Sequence, residues 1–175
     1  MKLMRAPERR KAMAAMLLTA KAPITGSALA AQFKVSRQII VQDIALMRAE
    51  NHRIISTNKG YLYRSAAAEN TWPKRVFFVR HSTEQVLEEF LTVIELGGRI
   101  LDVSVEHELY GPIRADLLIE NAQDAADFAA RLENCRDNPL KVLTDDRHFH
   151  TVTAPSEKLL DLIEGELRNR GFLEP

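Results

Sequence analysis

His148 and His150 stand two residues apart in "DDRHFHTVTAP", in a chain with five histidines in all. Side chains alternate between faces along an extended strand. This spacing therefore aims both imidazoles at one side, with Val152 and Ala154 following and Phe149 turned away. A neutral imidazole offers one lone pair, and it is the commonest protein ligand for zinc, nickel, cobalt, iron or manganese. Two imidazoles make only half a metal site, so further donors must come from another segment.

The stretch "VRHSTEQVLEEF" can supply them. A strand over "RVFFVRH" ends at His81, and S-x-x-Q at Ser82 to Gln85 is a capping box that opens the next helix there. At about 100° per residue Val86, Leu87, Phe90, Val93 and Ile94 form the buried arc of that helix, and Glu88, Thr92 and Glu95 oppose it. Glu88 is therefore solvated, whereas Glu89 falls on the edge of the arc and can reach inward. A carboxylate there needs a partner, because an unpaired buried charge is expensive. His81, Glu89, His148 and His150 together offer three imidazoles and one carboxylate, a set suited to a divalent transition metal. Spacing alone leaves open that these are core or surface histidines satisfied by hydrogen bonds, since no rule brings the two segments together.

The elements that must position these residues alternate in type. Strand "RVFFVRH" and helix "STEQVLEEFLTVIELGG" are followed by strands "RILDVSVEHEL" and "YGPIRADLLIE". Helix "NAQDAADFAARLENC", strand "RHFHTVTAP" and helix "SEKLLDLIEGELRNRG" complete the series. The order β-α-β-β-α-β-α predicts an α+β sandwich, with helices on one side of a mostly antiparallel sheet. The small, polar run "RSAAAENTWPK" marks a boundary. Residues 66–74 are expected to be a linker between a domain at 1–65 and one at 75–175.

The first domain differs in charge from the second. Formal net charge is zero, but Met1 to Ser65 holds 12 Lys or Arg against 3 Asp or Glu, and Ala66 to Pro175 holds 12 against 21. A module of net +9 joined to one of net −9 suggests a polyanion-binding head on something else. Pro7 to Ala20 reads as a helix, "GSALAAQF" as a short second one capped by Thr25 or Ser27, and "KVSRQIIVQDIALMRAENH" as a third capped by Ser36. Ile39, Ile40, Ile44 and Met47 share one stripe of the third helix, leaving Arg37, Gln38, Gln42 and Asp43 largely off it. "RIISTNKGYLYR" reads as a hairpin turning at Asn58 to Gly60. Three helices and a basic hairpin describe a winged helix-turn-helix.

The run "ITGSALAAQFKVSRQIIVQDIALMRAENHRIISTNKGYLY" resembles the winged helix-turn-helix of small-molecule-responsive bacterial repressors, including the regulatory domain of biotin protein ligases. That resemblance implies that Lys34, Ser36, Arg37, Gln38 and Gln42 face DNA. Arg and Gln can read guanine and adenine, whereas Lys34, Lys59 and Arg64 suit phosphates. Residues 75–170 resemble the 3H domain through "VRHSTEQVLEEF", "VEHELYGPIRADLLI" and "LTDDRHFHTV". A winged helix followed by a 3H domain is similar to the NiaR repressors, which respond to nicotinic acid and control NAD biosynthesis or niacin uptake. In that family a histidine at the first strand's end, a glutamate eight residues later and the H-x-H pair hold a divalent metal; they match His81, Glu89, His148 and His150. The loop before H-x-H often carries glycine in the family, and here it reads "TDDR".

The expected protein is thus a homodimeric, DNA-binding transcriptional repressor with a divalent metal and nicotinic acid as co-repressor. His107 could meet the effector or be a structural or dimer-interface residue. Arg114 could clamp the pyridine carboxylate, or pair with Asp116 on the same strand face. Alternatives are a regulator for which the metal is the signal, and a bifunctional regulator with metal-dependent hydrolysis. No Gly-rich phosphate loop or nucleophile-base-acid set supports an enzyme. The N-terminal apolar run is too short and interrupted for a signal peptide or membrane span, and the single Cys135 fits a reducing, cytoplasmic setting.

Overall fold

Caps and turns mark out the first domain. In the computed structural model, which describes residues 4–63, 71–135 and 138–175, Thr25 Oγ1 accepts from the Ala28 N–H at 3.1 Å and Ser36 Oγ from the Ile39 N–H at 3.3 Å. They open α2 (Gly26–Phe33) and α3 (Arg37–Ala49), which follow α1 (Ala6–Thr19). Lys34 takes the left-handed conformation between α2 and α3, turning the chain within three residues. The chain divides into two compact units, residues 1–70 and 71–175.

In the first unit Met13, Leu17, Leu29, Ile40, Ile44 and Met47 form the core. One residue of α3 departs from expectation. Asp43 is buried, because Arg9 Nε reaches its Oδ2 at 2.6 Å and Arg10 lies 3.6 Å from its Oδ1. Strands β1 (Ile54–Thr57) and β2 (Gly60–Tyr63) form the hairpin, Thr57 opposite Gly60. Tyr61 exchanges backbone hydrogen bonds with Ile24 at 2.8 and 2.9 Å, and a Cβ on Gly60 would stand 2.5 Å from the Ile24 carbonyl oxygen. Glycine is required there by both that approach and its φ of +130°. Arg48 ties α3 to the hairpin, donating to the Ile54 carbonyl and Ser56 hydroxyl, each at 2.7 Å.

The second unit contains β3 (Lys74–Arg80), α4 (Val86–Glu95), β4 (Arg99–His107), β5 (Gly111–Ile119), α5 (Ala122–Glu133), a 3-10 turn (Leu140–Thr144), β6 (Arg147–Thr153) and α6 (Glu157–Asn169). Its strands lie in the order β5-β4-β6-β3, each pair antiparallel. Phe77, Val79, Ile100, Ile119 and Val152 on one sheet face share a core with Phe90 of α4, Ala125 of α5 and Ile163 of α6. The α+β architecture, with helices on one side of the sheet, is the one expected. The chain end protects the β3 edge, since Arg80 N–H donates to the Phe172 carbonyl and Glu174 N–H to that of Phe78. Lys74, placed in the linker by sequence, opens β3; of that linker, residues 66–70 lie outside the described residues.

Two local expectations about α4 fail for physical reasons. The helix starts at Val86, four residues after Ser82. Only the return arm of the capping box forms, from Ser82 N–H to Gln85 Oε1 at 3.1 Å. The buried face holds Val86, Glu89, Phe90, Thr92 and Val93, so Glu89 lies within it rather than at its edge. Thr92 can be buried because its hydroxyl donates to the Glu88 carbonyl at 2.7 Å, which a count of apolar residues does not register.

Candidate metal centre and nucleic-acid interface

Strand register delivers the two imidazoles of β6. His148 pairs with Val79 and His150 with Phe77 and Val103, so both side chains leave the sheet on its helix-covered face. His81 follows the last residue of β3, and Glu89 descends from the first turn of α4. All four are at most 4% exposed, and one ligand atom from each lies within 4.8 Å of the others. His81 Nε2 is 2.9 Å from Glu89 Oε2 and 3.1 Å from His148 Nε2; His150 Nε2 is 3.6 Å from the same carboxylate oxygen.

The outward nitrogens fix what the inward ones can do. His81 Nδ1 faces the Ser82 carbonyl at 2.9 Å, His148 Nδ1 the Asp146 carbonyl at 2.9 Å, and His150 Nδ1 the Asp102 carbonyl at 2.7 Å. A carbonyl oxygen only accepts, so each Nδ1 is the protonated nitrogen and each Nε2 of a neutral ring presents a lone pair. Three such lone pairs and a carboxylate oxygen repel one another unless a cation lies among them. Glu89 Oε2 agrees: it is buried and no neighbour meets hydrogen-bond geometry, although His81 is within ion-pair range. The donor set fits a borderline divalent metal.

The electrostatics differ from ring to ring. Burial pushes His148 down to about 3, with the neighbouring His150 adding to it, so its ring is neutral. Burial would raise Glu89, but the imidazoles of His150 and of His81, 2.9 Å away, hold it at about 2. Burial lowers His81, yet the nearby Glu89 carboxylate outweighs it and leaves it raised. Lys141, buried under the site, donates to the His81 carbonyl at 2.7 Å and pairs with Asp146 at 3.1 Å. Asp145 and Asp146, of the "TDDR" loop, have φ of +54° and +64°, the region that suits glycine. Aspartate here keeps that backbone shape and adds the tie to Lys141.

Sequence reasoning missed Lys141, Asp146 and Asp102 as supports, because two of the three act through backbone carbonyls and the third is a buried lysine, none of which spacing marks. His107 and Arg114 are not brought to the cluster. His107, at the β4 end about 13 Å along the strand from Val103, accepts from the Leu109 N–H and stacks near Tyr110. Arg114 pairs with Ser104, one residue out of step with the Val103 to His150 pairing, and so projects from the opposite sheet face. Its guanidinium lies 2.8 Å from Asp102 Oδ2, off the line of a hydrogen bond, and 3.6 Å from Asp116. Arg114 thus stands away from the histidines; of the two roles expected of it, the ion pair is present, chiefly to Asp102.

In the first unit Lys34, Ser36, Arg37, Gln38 and Gln42 are exposed around the start and outer face of α3, and Lys59 is partly exposed at the hairpin turn. Arg37 lies back across Gly26: a Cβ there would be 3.3 Å from its Nε and 3.4 Å from the Tyr61 ring. Arg64 lies outside the described residues. Among the described residues no helix is long and apolar enough to cross a membrane.

A helix-turn-helix with a basic hairpin, joined to an α+β domain holding a buried histidine-carboxylate cluster, defines a DNA-binding regulator. Residues 9–62 match the HTH domain and residues 74–174 the 3H domain. The chain is 38% identical over 166 residues to the "Probable transcription repressor NiaR" of Thermotoga maritima, covering 95% of this chain and 93% of that one. It is 36% identical over 174 residues to the "Transcription repressor NadR" of Bacillus subtilis, covering 99% and 96%. The chain belongs to the family of transcription repressors that join an HTH domain to a 3H domain.

Proposed function

We propose that this protein is a cytoplasmic, homodimeric repressor of NAD biosynthesis or niacin uptake genes that binds double-stranded operator DNA. In this reading His81, Glu89, His148 and His150 hold a divalent metal, and nicotinic acid is the co-repressor. The observation that carries the metal is the carbonyl oxygen facing each Nδ1, which leaves three Nε2 atoms and a buried carboxylate oxygen without a hydrogen bond directed inward. A bound ion would supply positive charge at the centre and, in a six-coordinate geometry, positions for an added carboxylate. The effector acts only through a difference in affinity between two dimer arrangements, one of which matches half-sites about one helical turn apart. The relatives' names support repression as the output. Native mass spectrometry with elemental analysis, with and without nicotinic acid, tests dimer, metal and ligand together. Operator affinity unmoved by nicotinic acid in metal-replete buffer would remove the co-repressor.

A second reading, in which the metal itself is the signal, is favoured by the position of Arg114 on the other sheet face. Operator binding that follows metal and ignores pyridine carboxylates would select it.

A further inference from the structure

The outer face of α3 carries an apolar side chain where packing asks for none. Ile40, Asp43, Ile44 and Met47 are buried, and at about 100° per residue Gln38, Gln42 and Ala45 lie on the opposite arc. Val41 stands between Arg37 and Gln38 around the axis, one turn further on, and is 43% exposed. Exposed helix positions favour long polar residues, and a β-branched side chain there lowers helix propensity while gaining little burial. Two-fifths of Val41 is thus left to solvent, as is half of Leu46 further along α3, but Val41 is the one that stands among the polar residues at the start of the helix.

Its neighbours say what it serves. Arg37, Gln38 and Gln42 have the donors and acceptors that match base edges, and Lys34 at the turn before α3 attracts phosphate. Arg37 leans back over Gly26 toward Tyr61, and Ala45, one turn beyond Val41, is too short to cover it. Within the major groove the one apolar group a base pair offers is the thymine 5-methyl, and an apolar side chain is its natural contact. We propose that Val41 is a specificity-determining residue that packs on a thymine methyl, giving this repressor a preference for an A·T pair beside the bases read by Gln38 and Gln42. The inference rests on the reading that α3 enters the major groove of operator DNA.

The test uses the full-length protein in buffer containing divalent metal and nicotinic acid. A preferred duplex is enriched from a random pool, then remade with deoxyuridine at each thymidine in turn. Uracil keeps every hydrogen-bonding group of thymine and lacks only the methyl. Wild type should lose about fourfold in affinity per half-site at one position, the size of one buried methyl group, and little elsewhere. Val41→Ala should bind the thymine and uracil duplexes equally, with an unchanged thermal unfolding profile because the site is exposed. Wild-type binding that ignores uracil at every position overturns the proposal, as does a Val41→Ala protein that retains the difference. A pool that yields no preferred duplex overturns the operator reading itself, and this inference with it, a result distinct from specific binding that ignores the methyl.

Discussion

His150 Nδ1 meets the carbonyl oxygen of Asp102 at 2.7 Å, across the β4–β6 pairing, and this bond decides which nitrogen of His150 faces Glu89. The same arrangement recurs at His81 and His148, each with its own carbonyl. Three rings are thereby held in one tautomer before any ion arrives, which lowers the cost of organising the site. If these four residues bind an ion, a transition metal at about 100 times its dissociation constant should stabilise the protein by about 2.7 kcal/mol. Thermal melts with and without nickel, cobalt or zinc measure the shift. Glu89→Gln should abolish it, and a metal-induced shift that survives Glu89→Gln would remove the carboxylate from the ligand set.

The pH dependence of the metal-free protein follows from opposing groups. His148 is neutral in the fold down to about 3, whereas unfolded it takes a proton below its ordinary 6.5. Stability should therefore fall by up to about 1.4 kcal/mol per pH unit as the pH drops below 6.5. Glu89, depressed to about 2, adds a further loss as pH falls below its ordinary 4.5. His81 is raised, so its contribution is complete below 6.5 and fades as the pH rises through its folded value. Urea unfolding at pH 4.5 and 5.5, where His81 is protonated folded and unfolded alike, should show the acid loss, and His148→Gln should flatten most of it.

How much of this was legible in the chain depends on where the information lies. Alternation in "RHFHTV" was enough to put His148 and His150 on one face, and helical spacing picked Glu89 over Glu88. Both are properties of side-chain direction, which period alone fixes. The depth of Glu89 was not legible, because Thr92 satisfies its hydroxyl on its own helix and joins the buried face. Asp43 misled in the same way: its charge argued for water, but Arg9, 34 residues earlier, meets it inside. Arg114 was placed by residue type, although alternation along β5 already gives its face: Leu117 and Ile119 are buried against the helices, and Arg114, an odd number of residues from both, projects the other way.

The buried Arg9 to Asp43 pair joins α1 to α3. Asp43→Ala strands a guanidinium that is 7% exposed and should cost about 3–5 kcal/mol. Replacing both partners by apolar residues, Arg9→Met with Asp43→Leu, should recover much of that. Chemical denaturation of the two variants makes the comparison; equal losses from both would show that packing, and not the stranded charge, sets the cost.

Self-association has a candidate surface on the sheet face opposite α4, α5 and α6. Phe78 and Phe149 stack there at 4.6 Å beside an open groove of about 420 Å³ that also includes Glu106 and Arg147, of opposite charge. Val76, on the same face, is 59% exposed. If two copies meet through this face, Val76→Glu places a like charge against itself across the two-fold and should raise the dimer dissociation constant at least tenfold. Sedimentation equilibrium reads the change, and an unaltered dimer would move the interface elsewhere.

Phosphate and base contacts on the winged helix should separate by their response to salt. Lys59 sits at the turn between β1 and β2, where a point charge would meet backbone phosphate if the hairpin lies on DNA, and Gln38 on the outermost arc of α3. Lys59→Ala should weaken binding to operator and random duplex alike and reduce the slope of log affinity against log salt by about 1. Gln38→Ala should leave the slope in place and cost about 1–3 kcal/mol on the operator alone. Fluorescence anisotropy across a salt series distinguishes the two. Loss of slope on Gln38→Ala, or a sequence-selective loss on Lys59→Ala, would reverse the roles assigned to the helix and the hairpin.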